Sequence, residues 1–201
     1  NEGVYVDEDL LNEMSLDIGD RLDLLVKEIY NIAEEEFNIN STQQLAKILF
    51  DDLKLTQIKK RSTAENVLKE LVNEHELPEL ILSYRKLNKL KNTYIDALPT
   101  AINKNTKRIH STFNQTIAST GRLSSTGPNF QNIPIRTSEG REIRKAFIAQ
   151  KENWGILSAD YSQIELRIMA HLSEDKNLIE AFVDDKDVHT ETASQIFNLE
   201  S

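Results

Sequence analysis

The 201 residues hold 39% hydrophobic and 28% charged side chains, an ordinary globular composition with length for one domain or two small ones. The absence of cysteine excludes a disulfide framework and any cysteine-ligated metal, and is compatible with a reducing, cytoplasmic setting. No apolar run reaches the ~18 residues of a membrane span and no signal peptide is evident, so no membrane partner is expected. The net charge of -9 is segregated along the chain. Residues 1–79 carry 8 Lys and Arg against 19 Asp and Glu, residues 80–145 carry 12 against 3, and residues 146–201 carry 4 against 11. A basic centre in an acidic chain fits either a localised polyanion footprint or the solvated faces of lysine-rich helices. The start on Asn1 and the stop just after "QIFNLES" read as cuts within a longer polypeptide.

The first third reads helical. In "EDLLNEMSLDIGDRLDLLVKEIYNIAEEEF", Leu10, Met14, Ile18, Leu22, Leu25, Ile29 and Ala33 recur at spacings of three and four, which predicts one apolar stripe. "NSTQQLAKILF" sets Ser41 and Gln44 at capping-box spacing, and "RSTAENVLKELV" does the same with Ser62 and Glu65. "PELILSYRKLNKLKNTYIDALP" places Pro78 in a helix's first turn and Pro99 at its end. Its apolar side is Leu80, Tyr84, Leu87, Leu90, Tyr94 and Leu98, with Arg85, Lys86, Lys89 and Lys91 clustered outside it. From Arg108 the period shortens: "RIHSTFNQTIA" predicts a strand with Ile109, Phe113 and Ile117 on one face, and "KAFIA" and "WGILSA" predict two more joined by a short turn. Between them, "STGRLSSTGPNFQNIPIRTSEG" has little apolar periodicity, and a loop of that length points to a binding task. The fold class expected is α+β.

In "SADYSQIELRIMAHL", Asp160 sits where a predicted strand meets a predicted helix. Such a residue often only caps the helix or makes the turn. Here Ser162 with Glu165 completes a capping box, which leaves Asp160 without a structural task. A carboxylate fixed at a strand end suits Mg²⁺, which prefers oxygen ligands and few protein carboxylates. Glu165 is explained by the cap alone. The apolar residues around Arg167 and His171 predict a buried helix in which both are satisfied structural groups. In the loop, Arg122, Asn129, Gln131, Asn132 and Arg136 are types that bond base edges and phosphates, or simply the polar side chains of a surface loop. His189, after three aspartates in "DDKDVH", reads in isolation as part of a solvated loop.

"TGRLSSTGPNFQNIPIR" and "SADYSQIELRIMAHLSEDKNLIEAF" together resemble two motifs of the family A DNA polymerases, the second containing motif A. The resemblance continues through "KDVHTETASQIF", "EEFNINSTQQLAKILF" and "LILSYRKLNKLKNTYIDALP", and so covers nearly the whole chain. It implies a helical thumb region followed by part of an antiparallel-sheet palm with packed helices. The implied segments are 1–35 packing on the palm, 36–107 as the thumb, and 108–201 as the first part of the palm. The implied partners are primer–template DNA, a dNTP, and the remaining palm and fingers of the same polypeptide, with two Mg²⁺ ions as cofactors in the complete site. Asp160 then resembles the catalytic carboxylate that binds both ions, with the Tyr161 carbonyl as a further oxygen ligand. Glu165 resembles the residue that blocks a ribose 2′-hydroxyl, and Gln163 and His189 match nucleotide-binding positions. Arg122 resembles an arginine that reaches the minor groove at the primer terminus. Asn129, Gln131, Asn132 and Arg136 match primer–template contacts, and Arg85, Lys86, Lys89 and Lys91 match a thumb helix that holds the duplex backbone.

A second metal-binding aspartate and the fingers, expected after residue 201 from the resemblance, are not in the sequence. "LTQIKKRSTAENVL" also joins two thumb helices more tightly than is usual in the family. Two other readings compete. A non-catalytic nucleic-acid-binding module would use Asp160 and Glu165 only as caps. A metal-dependent phosphohydrolase would need further clustered carboxylates at strand ends, and the sequence offers none.

Overall fold

The computed structural model describes residues 2–184 and 186–197, leaving aside the side chains of His189, Glu191, Thr192 and Gln195. The chain divides into two compact units, Asn1–Gly155 and Ile156–Ser201. It is α+β, with helices predominating and a small antiparallel sheet.

The first unit is organised by α1 (Glu8–Ala33), which starts where the Asp7 carboxylate accepts the N–H of Leu10 and ends on Glu34 in a left-handed conformation. Its stripe buries Leu11, Ile18, Leu22 and Ile29, while Leu10, Met14, Leu25 and Ala33 pack around them. This face meets α4 (Leu77–Leu90), which contributes Leu77, Ile81, Tyr84, Leu87 and Leu90 to the same core. Pro78 lies in the first turn of α4, where its missing N–H costs nothing. A wider π turn over Lys91–Ile95 carries the helix on into α5 (Ala97–Thr100). Pro99 therefore falls within the last turn rather than at its end.

Two short helices complete the core. In α2 (Thr42–Lys47) the Ser41 hydroxyl accepts the Gln44 N–H, but the Gln44 carboxamide turns to the N–H of Asn38 (2.6 Å), so only half of the expected box forms. In α3 (Glu65–Leu71) the expected Ser62–Glu65 box is absent: Ala64 holds the cap position. The Ser62 hydroxyl instead accepts the Ala64 N–H two residues on, and Glu65 pairs with Lys69 at 2.6 Å. Leu45, Ile48, Leu49, Leu68 and Leu71 are fully buried here.

The predicted 108–118 strand shrinks to β1 (Thr112–Asn114), paired antiparallel with β2 (Ser124–Thr126) in the register Phe113↔Ser125. Ile109 is fully buried through bridges to Val4 and Ile102, whereas Phe113 and Ile117 are exposed, so the three do not share a buried face. "KAFIA" forms only a single bridge, Val6↔Phe147, after α6 (Ser138–Lys145). "WGILSA" forms no strand, because an apolar run becomes one only against a ladder partner, and residues 154–159 have none among the described residues.

The second unit contains α7 (Ile164–Ser173), α8 (Lys176–Val183) and α9 (Val188–Phe197). The Ser162–Glu165 capping box does not form. Gln163 takes the N-cap position in a left-handed conformation (φ 51°), and an N-cap hydroxyl works from extended backbone. Ser162 instead accepts the Arg167 Nε–H through its carbonyl at 3.0 Å. The Arg167 guanidinium also lies 4.5 Å over the Phe182 ring, so it is satisfied as expected. The expected burial of α7 is not seen: Ala170 is its one buried residue, while Ile168, Met169 and Leu172 are exposed. Among the described residues, no helix is long and apolar enough to cross a membrane.

Candidate nucleic-acid interface

The first unit carries the basic surface. Apolar residues of α4 at spacings of three and four turn inward, which leaves Arg85, Lys86 and Lys89 on its outer side. These three line a cleft of about 710 Å³ together with Lys69 of α3, the apolar Val72, Leu82 and Leu90, and Asn132 from the long loop. The structure thus brings Asn132, with Pro134 and Thr137 of the same loop, to three predicted cations of a helix some forty positions earlier. Glu65 and Glu79 line the cleft as well, with Glu65 neutralised by Lys69.

Arg85 is partly buried and donates to the Thr63 carbonyl (2.5 Å) and hydroxyl (3.3 Å); burial lowers its pKa. It also lines a second cavity of about 790 Å³ with Asn40, Arg61 and Thr63. Lys91 departs from the group. Its ammonium turns toward α1, where it donates to the Ser15 carbonyl and hydroxyl and pairs with Asp96 at 3.1 Å.

The loop that follows β2 is built largely by its own polar side chains. Gly127 adopts φ +61°, which favours glycine, and precedes a cis peptide to Pro128. The Ser111 and Ser125 hydroxyls bond each other (2.7 Å) and the Pro128 carbonyl. Asn129 caps a short 3₁₀ turn (Phe130–Asn132) by accepting the Gln131 N–H. Gln131 pairs with the edge of β2, accepting from Ser125 N–H (2.9 Å) and donating to the Leu123 carbonyl (2.8 Å). The Tyr94 hydroxyl donates to the Asn132 carbonyl, and Arg144 donates to those of Ile133 and Pro134. Arg122 and Arg136 are both exposed.

Sequence patterning missed Glu139, whose carboxylate meets Arg21 (3.1 Å) and Lys86 (3.4 Å). Its pKa is held at about 2, first by a hydrogen bond from its own backbone N–H and then by Arg21, Lys86 and Ser138, against burial, which raises it. No local signal marks it, because Arg21 lies 118 residues away. Lys69 was also missed, although its spacing of four from Glu65 was visible.

In the second unit, Asp160 and Tyr161 lie on an exposed irregular segment, and Glu165 stands in the first turn of α7. Gln163 lines a small cavity of about 210 Å³ with Ser162, Arg167, Phe182, Lys186 and Asp187. The His189 side chain lies outside the described residues. Asp160 and the Tyr161 carbonyl are adjacent hard-oxygen donors, a set that fits Mg²⁺. Among the described residues, no group of three or more His, Asp or Glu comes together to hold an ion, so the pair fits one side of a shell completed by other oxygens.

Several known proteins are similar to this chain. The thermostable DNA polymerase I of Thermus filiformis is 50% identical over 204 residues, covering 98% of this chain and 24% of the relative. DNA polymerase I of Bacillus subtilis (strain 168) is 48% identical over 201 residues, covering 98% of the chain and 23% of the relative. The chain thus spans about a quarter of the length of these relatives. A solved structure, the POL domain of Pol1 from M. smegmatis in complex with DNA primer-template and dNTP, superposes with a TM-score of 0.88 at 41% identity. That match covers 98% of this chain and 36% of the solved one. The family model for DNA polymerase family A matches residues 8–201, and the chain belongs to that family.

Proposed function

We propose that this chain is the part of a DNA-directed DNA polymerase that grips the primer–template duplex and supplies one catalytic carboxylate. The observation that carries this reading is the cleft in which Arg85, Lys86, Lys89 and Asn132 converge. Lysine and arginine contacts to phosphates set register without reading sequence, as copying any template requires. The similar Pol1 structure, described as a complex with primer-template and dNTP, supports the same kind of partner.

In this reading the segments 1–35, 36–107 and 108–201 serve as palm-packing helix, thumb and first part of the palm. Arg122 reaches the minor groove, whose degenerate pattern lets it test pair geometry rather than identity. Asn129, Gln131 and Arg136 shape and extend the contact made by Asn132. Lys91 supports the duplex-binding helix from its α1 side. Asp160 and the Tyr161 carbonyl hold Mg²⁺, Glu165 excludes a 2′-hydroxyl, and Gln163 and His189 lie against the incoming nucleotide. When bound, two such ions stabilise the attacking and leaving oxygens of an in-line phosphoryl displacement. The chain's own residues hold the primer terminus and its template in place. A bridging carboxylate without a second one beside it does not fix two ions, so the 201 residues alone are inactive, and the remaining palm and fingers complete the site. This reading sets the protein's work in DNA replication and repair in the bacterial cytoplasm.

Primer extension by the purified chain tests this, with primed DNA, Mg²⁺ and separate dNTP and rNTP mixes. The expected result is no product from either mix. Extension with dNTP would show that a second metal carboxylate lies within these residues.

A further inference from the structure

Glu139 stands in the first turn of α6, directly after the loop that carries Asn129, Gln131, Asn132 and Arg136. Its side chain is 15% exposed and gathers partners from three segments. Arg21 of α1 donates to Oε1 at 3.1 Å, the Ser138 hydroxyl donates to Oε2 at 3.1 Å, and the Lys86 ammonium lies 3.4 Å from Oε2. Of these partners, only Lys86 also lines the cleft. A lysine is a point charge on a flexible stem, so a fixed carboxylate beside it decides where the ammonium rests. The same stretch of loop is seated on the π turn after α4 by Tyr94 and on α6 by Arg144, which donate to the carbonyls of Asn132, Ile133 and Pro134. Glu139 therefore joins α1, α4 and α6 where cleft and loop meet.

We infer that Glu139 is a positioning residue for the cleft: it holds Lys86 at the rim and clamps the loop onto α4, so that Lys86 and Asn132 meet the duplex backbone together. The inference rests on the primer–template reading above. It makes a prediction of unusual sign. A carboxylate beside a polyanion site ordinarily repels the ligand, and neutralising it tightens binding. Here Arg21 and Lys86 already balance the charge, so little repulsion is relieved and the loss of position dominates.

The test uses the full 201-residue chain and a fluorescein-labelled primed duplex, titrated at several NaCl concentrations with the wild type, Glu139→Gln, Lys86→Met and the double variant. Glutamine keeps the shape of Glu139 and an acceptor for Arg21, and its amide N–H can donate to the Ser138 hydroxyl in place of the bond it received, so the fold is retained. Glu139→Gln is expected to weaken binding about three- to tenfold, and the double variant to bind no more weakly than Lys86→Met alone. The slope of log K against log salt should fall by about one phosphate contact, which a purely structural role would leave unchanged. Equal or tighter binding by Glu139→Gln overturns the proposal, as does the same loss in the Lys86→Met background. If the wild-type chain shows no salt-dependent binding, the primer–template reading itself fails, and the inference falls with it.

Discussion

Glu139 also makes a prediction about stability that needs no DNA. Its carboxyl titrates near 2 in the folded protein, against 4.5 for an ordinary glutamate. A lowered folded pKa means that the ionised form stabilises the fold above the ordinary value, and that this contribution disappears as pH falls toward the folded value. At ~1.4 kcal/mol per pH unit the full difference sets a ceiling of about 3 kcal/mol. The site lies at a wet rim with half-exposed cations, which reduces this to about 1–2 kcal/mol. Urea unfolding of the first unit would be followed at pH 7, 5, 4 and 3 for the wild type and Glu139→Gln. The wild type should be more stable at pH 7 by that amount. The gap should narrow below pH 4.5, to less than half by about pH 3. A gap of constant size across this range would show that shape rather than charge is at work, and no gap at pH 7 would refute the reasoning.

Three further outcomes follow from packing and charge. Gly140→Ala should lower the Tm even though alanine normally gains ~1 kcal/mol over glycine in a helix. The new Cβ would lie 2.6 Å from that of Pro134 and 2.9 Å from its carbonyl carbon. Ile81→Ala, at a fully buried position between α1 and its neighbours, should cost about 2–5 kcal/mol in chemical denaturation. Lys86→Met with Lys89→Met should weaken primed-duplex binding and lower the salt slope by up to about 1.8, measured by anisotropy.

The parts legible in sequence were those governed by local periodicity. The stripe of α1, the Ser41 cap, Pro78 in the first turn of α4 and the outward face of Arg85, Lys86 and Lys89 all follow from spacing alone. Motif residues around Asp160 pointed to the family through resemblance, and the family match agrees. What failed was whatever depends on distant partners. "WGILSA" has a strand's composition, but a strand is made by its neighbour. Ser162 and Glu165 have a capping box's spacing, but the left-handed backbone at Gln163 removes the geometry. Phe113 and Ile117 have the alternation of a buried face, yet only Ile109 finds a covering partner. Glu139 shows the same limit from the other side, because its importance arises from Arg21 and Lys86, neither of them near it in sequence.

The most direct measurement is template-directed extension by the complete polypeptide that contains this chain, comparing the wild type with Asp160→Asn on one primed duplex. The prediction is that turnover is lost while duplex affinity is kept, since the substitution removes an ion ligand and leaves the cleft of Arg85, Lys86 and Lys89 untouched. Unchanged turnover would contradict the assignment of Asp160 and leave these residues a nucleic-acid-binding module.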